Sequence, residues 1–335
     1  MSRFSGKGQN MFLNQLLPTG TADFTEIREK GALYIDKTKY LVNLIDSGKA
    51  YFLSRPRRFG KSLTVSTLES MFKGKNEFFK GLAAEEWFSR ENFSPFPVIS
   101  LDFIGVTGEF GIELLHEGFR IQLQSIAESY NITLKDNLPP YMFYKLVDAL
   151  YSAFGKKVVI LVDEYDHQIN DFIDDPVRAN EIRKTMQNFL SVIKWRNSRI
   201  EFIFVTGITK FSKTGLFSVL NNLNDISLDE DYSAICGCTQ EELDKYFTKY
   251  VEELAAQTGK NERDVKNTIE QLYYGFSFDG KTYVYNPDSL VNLFLKRKFD
   301  NFWFESATPT YIEKFLANKT IICSDYIDHE APALP

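Results

Sequence analysis

The segment Lys157–Glu164, KVVILVDE, restricts the fold more than any other stretch of this chain. Val158 to Val162 are five consecutive branched apolar residues with no polar alternation. An amphipathic helix would interrupt such a run every few residues, and a strand with one wet face would alternate. The unbroken run fits a strand covered on both faces, which is the signature of a parallel sheet with helices on either side. It ends in two carboxylates, Asp163 and Glu164, at the C-terminal end of the strand, where open α/β sheets bind their ligands.

Roughly a hundred residues upstream lies Tyr51–Thr64, YFLSRPRRFGKSLT. The β-prone Tyr51, Phe52 and Leu53 run into a compact turn and then into a helical Ser/Leu/Thr/Val segment. That is the strand–loop–helix context required of a phosphate-binding loop. Gly60 would let the backbone approach a phosphate, and the helix N-terminus would aim free N–H groups at it. Lys61 can reach the β- and γ-phosphates, and the Ser62 hydroxyl can ligate Mg²⁺. Arg57, Arg58, Phe59, Gly60, Lys61, Ser62 and Leu63 are therefore the expected nucleotide-binding residues. One departure stands out: the first glycine of G-x-x-x-x-G-K-[ST] is here Arg55, followed by Pro56.

With this loop upstream, the two carboxylates take defined roles. Asp163 would hold Mg²⁺ through water, and Glu164 would polarise the attacking water as the catalytic residue. Downstream, Ile200–Gly207 is a further strand, and Thr206 or Thr209 stands where a γ-phosphate sensor would sit. Arg57 and Arg58 could contact phosphates or face outward. Arg196 and Arg199 are candidates for an arginine finger acting on a neighbour's nucleotide. His167 reads as a loop residue.

Around these motifs the chain reads as a flexible lead over residues 1–20, an α/β domain over 21–238 and a mainly helical lid over 239–335. Asp36-Lys37-Thr38 reads as a solvated helix start, with contact to a nucleotide base or a neighbouring helix as the alternative. Helices are expected at 37–46, 109–130, 141–154, 181–194, 239–256 and 262–273, and again over 301–316. Residues 33–35, 98–102 and 225–228 are expected to be extended. Thr239-x-x-Glu242 is a capping-box pattern, and Asp279-Gly280 signals a hairpin turn.

Composition closes off some classes. A net charge of −6 argues against a nucleic-acid coat, though it permits a local basic patch. No apolar run is long enough to span a membrane, and no signal peptide is recognisable at the start. Three cysteines, Cys236, Cys238 and Cys323, make neither a disulfide framework nor a zinc site. A cytoplasmic location is the expectation.

SRPRRFGKSL, LVDEYD, FVTGITKFS, LNNLNDIS, YIDKTKYL and YGFSFDGKTYVYNP together resemble the AAA-ATPase-like family. These are bacterial P-loop ATPases often joined to a C-terminal PD-(D/E)xK nuclease. The resemblance covers roughly residues 18–316 and includes the Arg55-Pro56 form of the loop. It implies a P-loop α/β domain with a mainly parallel sheet and a smaller helical lid, with ATP and Mg²⁺ as ligands. Self-assembly and an unknown protein partner are expected by analogy with related ATPases. No Glu-x-Lys or Asp-x-Lys follows Asp288, so the nuclease domain is expected to be absent. The function expected is Mg-dependent ATP hydrolysis coupled to a conformational change. The alternatives are a nucleotide switch with little turnover and a DNA-associated module serving a nuclease partner.

Overall fold

A computed structural model of the chain describes residues 15–90, 93–106, 111–170, 172, 175–208 and 222–302. Along it run α1 (Phe24–Glu29), α2 (Thr38–Ser47), α3 (Lys61–Phe72), α4 (Glu85–Phe88), α5 (Ile112–Ser129) and α6 (Pro139–Phe154). After these come α7 (His167–Asn170), α8 (Pro176–Trp195), α9 (Gln240–Tyr246), α10 (Thr248–Thr258), α11 (Glu262–Tyr273) and α12 (Pro287–Lys296). The described chain gathers into two compact units that interleave in sequence. One, the sheet unit, comprises Gly48–Arg57 and Pro95–Ile226. The other comprises residues 15–47, 58–94 and 227–302.

The sheet unit is built on five parallel strands: β1 (Ala50–Ser54), β2 (Val98–Asp102), β3 (Val158–Asp163), β4 (Ile200–Gly207) and β5 (Asn224–Asp225). Their order is β2-β3-β4-β1-β5, a parallel α/β arrangement of the P-loop NTPase type. Every residue of β3 is buried, as its unbroken apolar run requires. Ile160 lies between Ile99 of β2 and Ile203 of β4. Val158, Ile160 and Val162 join a core with Leu115 and Phe119 of α5, Leu146 and Leu150 of α6, and Ile182 and Met186 of α8. Phe189 of α8 stacks on Phe119 at 4.1 Å and on Phe143 at 5.0 Å, tying the three helices together. Val159 and Leu161, on the opposite face, are equally buried. Each such side chain contributes about 1.5–3 kcal/mol when removed from water.

Several boundaries differ from the sequence reading for local reasons. Helix α8 begins at Pro176, five residues ahead of the expected Glu181, because Asp175 caps it by accepting from the Arg178 N–H at 3.1 Å. Pro176 is then at the first helical position, where its missing N–H costs nothing. The helix expected from Thr239 to Ala256 is broken at Phe247 into α9 and α10. Leu33–Ile35 joins no ladder, although the Leu33 N–H donates to the Leu16 carbonyl at 2.7 Å. The fifth strand is Asn224–Asp225, starting one residue early.

In the second unit the Thr239–Glu242 capping box is formed in both directions. Asp279-Gly280 turns the antiparallel pair β6 (Phe276–Ser277) and β7 (Tyr283–Val284). Val251, Leu254, Val265, Ile269, Leu290 and Leu293 form its helical core. The helix expected at 301–316 lies almost wholly outside the described residues. No described helix is long and apolar enough to cross a membrane.

Candidate nucleotide-binding site

Strand β1 delivers the loop. Arg55, just past its end, donates its backbone N–H to the Gly207 carbonyl at 3.1 Å, carrying the β1–β4 pairing one step further. Its side chain is only 1% exposed, and Nη1 donates to the Ser54 carbonyl at 2.8 Å. The residue that replaces the usual first glycine is therefore a buried part of the sheet unit. Pro56 then fixes φ near −65° and stiffens the turn, and the half-buried Arg57 is the last residue of the loop in this unit.

In the second unit, Arg58 is exposed, adopts a left-handed φ of 64° and pairs with Asp288 at 3.0 Å. Phe59 is buried with its ring edge-on to Phe276 at 4.9 Å and Phe278 at 5.7 Å. Its carbonyl accepts from the Gly237 N–H at 3.2 Å. Gly60, at φ 99°, opens α3. A Cβ there would meet nothing within 4 Å, so it is the left-handed backbone, and not crowding, that calls for glycine. Lys61 is the first residue of α3 and only 3% exposed, with the half-buried Ser62 and Leu63 beside it on the first turn. The Thr64 N–H and hydroxyl both donate to the Gly60 carbonyl, at 2.9 and 3.0 Å. That first turn holds no acidic side chain, so nothing offsets the positive helix end.

At the C-terminal edge of the sheet, Asp163, Glu164 and Thr206 come together. Thr206 donates its hydroxyl proton to Asp163 Oδ1. The Glu164 N–H lies 3.1 Å from Asp163 Oδ1 and 3.3 Å from Thr206 Oγ1. Glu164 has φ 51°, a left-handed conformation uncommon for a non-glycine residue and concentrated at functional sites. Two further residues that sequence reasoning passed over brace this edge. The Tyr165 N–H donates to the Thr206 carbonyl at 2.9 Å, and the buried Asp166 accepts from the Ile208 N–H at 3.0 Å. The repeated acidic residue in DEYD was the available signal. On β2, Asp102 stands in register with Asp163. Although it keeps solvent contact, partial burial pushes its carboxyl above the ordinary range, and the Asp163 charge adds to that.

Among the described residues no cluster of three His, Cys, Asp or Glu side chains could cage a metal. Mg²⁺ in nucleotide sites takes one or two protein ligands and completes its shell with water and phosphate. A buried strand-end carboxylate and a helix N-terminal hydroxyl, Asp163 and Ser62, are donors of the fitting kind.

The remaining candidates are placed as follows. Arg196 and Arg199 both pair with Asp148, at 2.7 and 2.5 Å, and lie over the rings of Tyr144 and Tyr151. His167 starts α7, its N–H donating to the Glu164 carbonyl at 3.0 Å. Thr209 lies outside the described residues. Lys37 is not a solvated helix start: it is buried, and its ammonium holds both Glu242 oxygens, at 2.7 and 2.6 Å. Asp36 caps α2 through Thr38 and accepts from the Ala83 N–H at 2.8 Å.

A family model described as "Predicted AAA-ATPase" matches residues 18–217. The chain is also 39% identical over 307 residues, 90% of its length, to a protein of Azotobacter chroococcum mcd 1 described as an uncharacterized protein in the vnfD 5′ region. It spans 56% of that protein's length.

Proposed function

The chain belongs to the AAA-ATPase-like family of predicted AAA-ATPases, and from that premise we propose that it binds Mg-ATP and hydrolyses it to drive a conformational change. The observation that carries this reading is the hydrogen-bonded group of Asp163, Glu164 and Thr206 at the C-terminal edge of a parallel sheet. A protein that only bound nucleotide would need the Asp but not the Glu.

Lys61 supplies positive charge to the β- and γ-phosphates, and the free N–H groups at the start of α3 add to it. Mg²⁺, when bound by Ser62 and through water by Asp163, neutralises charge on the phosphate oxygens. Glu164 orients the attacking water and takes its proton. Thr206 fixes the Asp163 carboxylate and reads the γ-phosphate position.

A switch with little turnover is the second reading, favoured by the buried Arg55 and the stiff Pro56 in the loop. A protein partner, or self-assembly, would receive the conformational change. Isothermal titration with Mg-ATP tests the first step. Wild type binds, and Lys61→Ala weakens binding by about two orders of magnitude, the loss of a charge-assisted contact. Equal binding by both proteins would remove the loop from the account.

A further inference from the structure

The second unit contains a cleft that the phosphate-loop residues open onto. Gly60, Leu63 and Thr64 form one side, Ile35 and Leu41 face them, and Pro287 lies at one end. It holds about 680 Å³ of free space, part of it open to solvent, within the range of small-molecule sites and far below that of a macromolecular groove. The lining follows α3 from Gly60 to Thr67, about 10 Å at 1.5 Å per residue. A nucleotide whose phosphates meet the start of α3 would reach this cleft with its base.

The polar groups on the walls are already engaged. The Thr64 hydroxyl donates to the Gly60 carbonyl at 3.0 Å, and the Thr67 hydroxyl to the Leu63 carbonyl at 2.7 Å. Lys37 is held by both oxygens of Glu242. Among the described residues no acidic side chain lines the cleft. Guanine carries an amino group and a ring N–H on one edge that need acceptors, and a buried donor left without one is penalised. Adenine lacks that donor pair, and its flat ring suits walls of Ile, Leu and Pro.

The geometry points to this cleft as the purine-base subsite of the nucleotide site, one that takes adenine and excludes guanine. This rests on the phosphate-loop reading above and goes beyond it by locating the base and setting its identity. Ile35 and Val291 are half-buried lining residues, so a tryptophan at either would fill the cleft without displacing core.

The test uses the full chain. Affinities for Mg-ATP, Mg-GTP and Mg-tripolyphosphate are measured on wild type, Ile35→Trp and Val291→Trp, and 8-azido-ATP photolabelling of wild type is mapped by mass spectrometry. ATP should bind wild type about tenfold or more tighter than GTP, from the unpaired guanine donors. Either tryptophan should cost ATP a similar factor and leave tripolyphosphate unchanged, and the label should fall within residues 33–41 or 235–237. Equal ATP and GTP affinity, undiminished ATP binding by the folded tryptophan variants, or a label elsewhere would each overturn the assignment. ATP binding that survives Lys61→Ala, or no ATP binding at all, would overturn the phosphate-loop reading as well. If neither variant folds, the wild-type label and the ATP/GTP ratio decide.

Discussion

The hydroxyl of Thr206 is hydrogen-bonded to the carboxylate of Asp163, joining the ends of β4 and β3 in the interior, with Thr206 0% and Asp163 6% exposed. A buried carboxylate needs its acceptor sites filled, and this hydroxyl fills one while the Glu164 N–H fills another.

Thr206→Val keeps the shape and deletes the donor. It should lower unfolding free energy by about 1–3 kcal/mol, the penalty for a buried acceptor losing its partner. Thr206→Ser should retain most of that stability. Urea unfolding of the three proteins checks this, and a valine variant as stable as wild type would contradict it.

Gly207 follows directly, and a Cβ there would lie 2.5 Å from the Tyr165 ring and 2.6 Å from Asp166 Oδ1. Gly207→Ala should destabilise by about 1–3 kcal/mol through overpacking. It should also lower turnover, since Tyr165 and Asp166 must shift next to Glu164. A neutral Gly207→Ala in both thermal unfolding and ATPase assays would show that the edge is looser than described.

Lys37 and Glu242 form an ion pair with side chains only 11% and 17% exposed. Lys37→Met strands a carboxylate away from water and should cost about 3–5 kcal/mol. Adding Glu242→Gln, which keeps the capping box, should restore most of it. If the double variant is no better than the single one, the loss is packing and not charge.

Asp279 sits in the hairpin turn. Burial works to raise its carboxyl, but the N–H groups of Thr282 and Lys281, at 2.7 and 2.8 Å, outweigh that and hold it below the ordinary 3.8. A pKa lower in the folded state means that the unfolded chain binds the proton first as pH falls. The stabilisation is thus complete above the ordinary value and is lost as pH drops through the folded one. The stability gap between wild type and Asp279→Asn should be flat from neutral pH down to about 5 and shrink below 4. A gap that grows on acidification would reverse the sign and refute the assignment.

How much of this was legible in the sequence follows from distance along the chain. The burial of β3, the left-handed Gly60 and the Thr239 capping box are each set by a handful of consecutive residues, and each was readable. Lys37 was not, because its partner Glu242 lies 205 residues away, and a lysine at a helix start is ordinarily solvated. Arg55 likewise reads as a surface charge until the Gly207 carbonyl and the sheet edge enclose it. The break at Phe247 escaped because the apolar period runs through it, and only packing against Phe294, its ring stacked at 5.3 Å, shows why that residue is held. The carboxylates of Asp163 and Glu164 were plain from the strand they end. Their hydrogen bonds to Thr206, on the neighbouring strand, needed the register.

The most direct test of the central claim is steady-state and single-turnover ATP hydrolysis by wild type and Glu164→Gln at matched, saturating Mg-ATP. The account predicts that wild type turns over and that Glu164→Gln binds ATP equally well while losing at least about 10²-fold in rate, the usual contribution of a positioned general base. Wild-type binding without turnover, unchanged in Glu164→Gln, would contradict hydrolysis and leave a nucleotide switch.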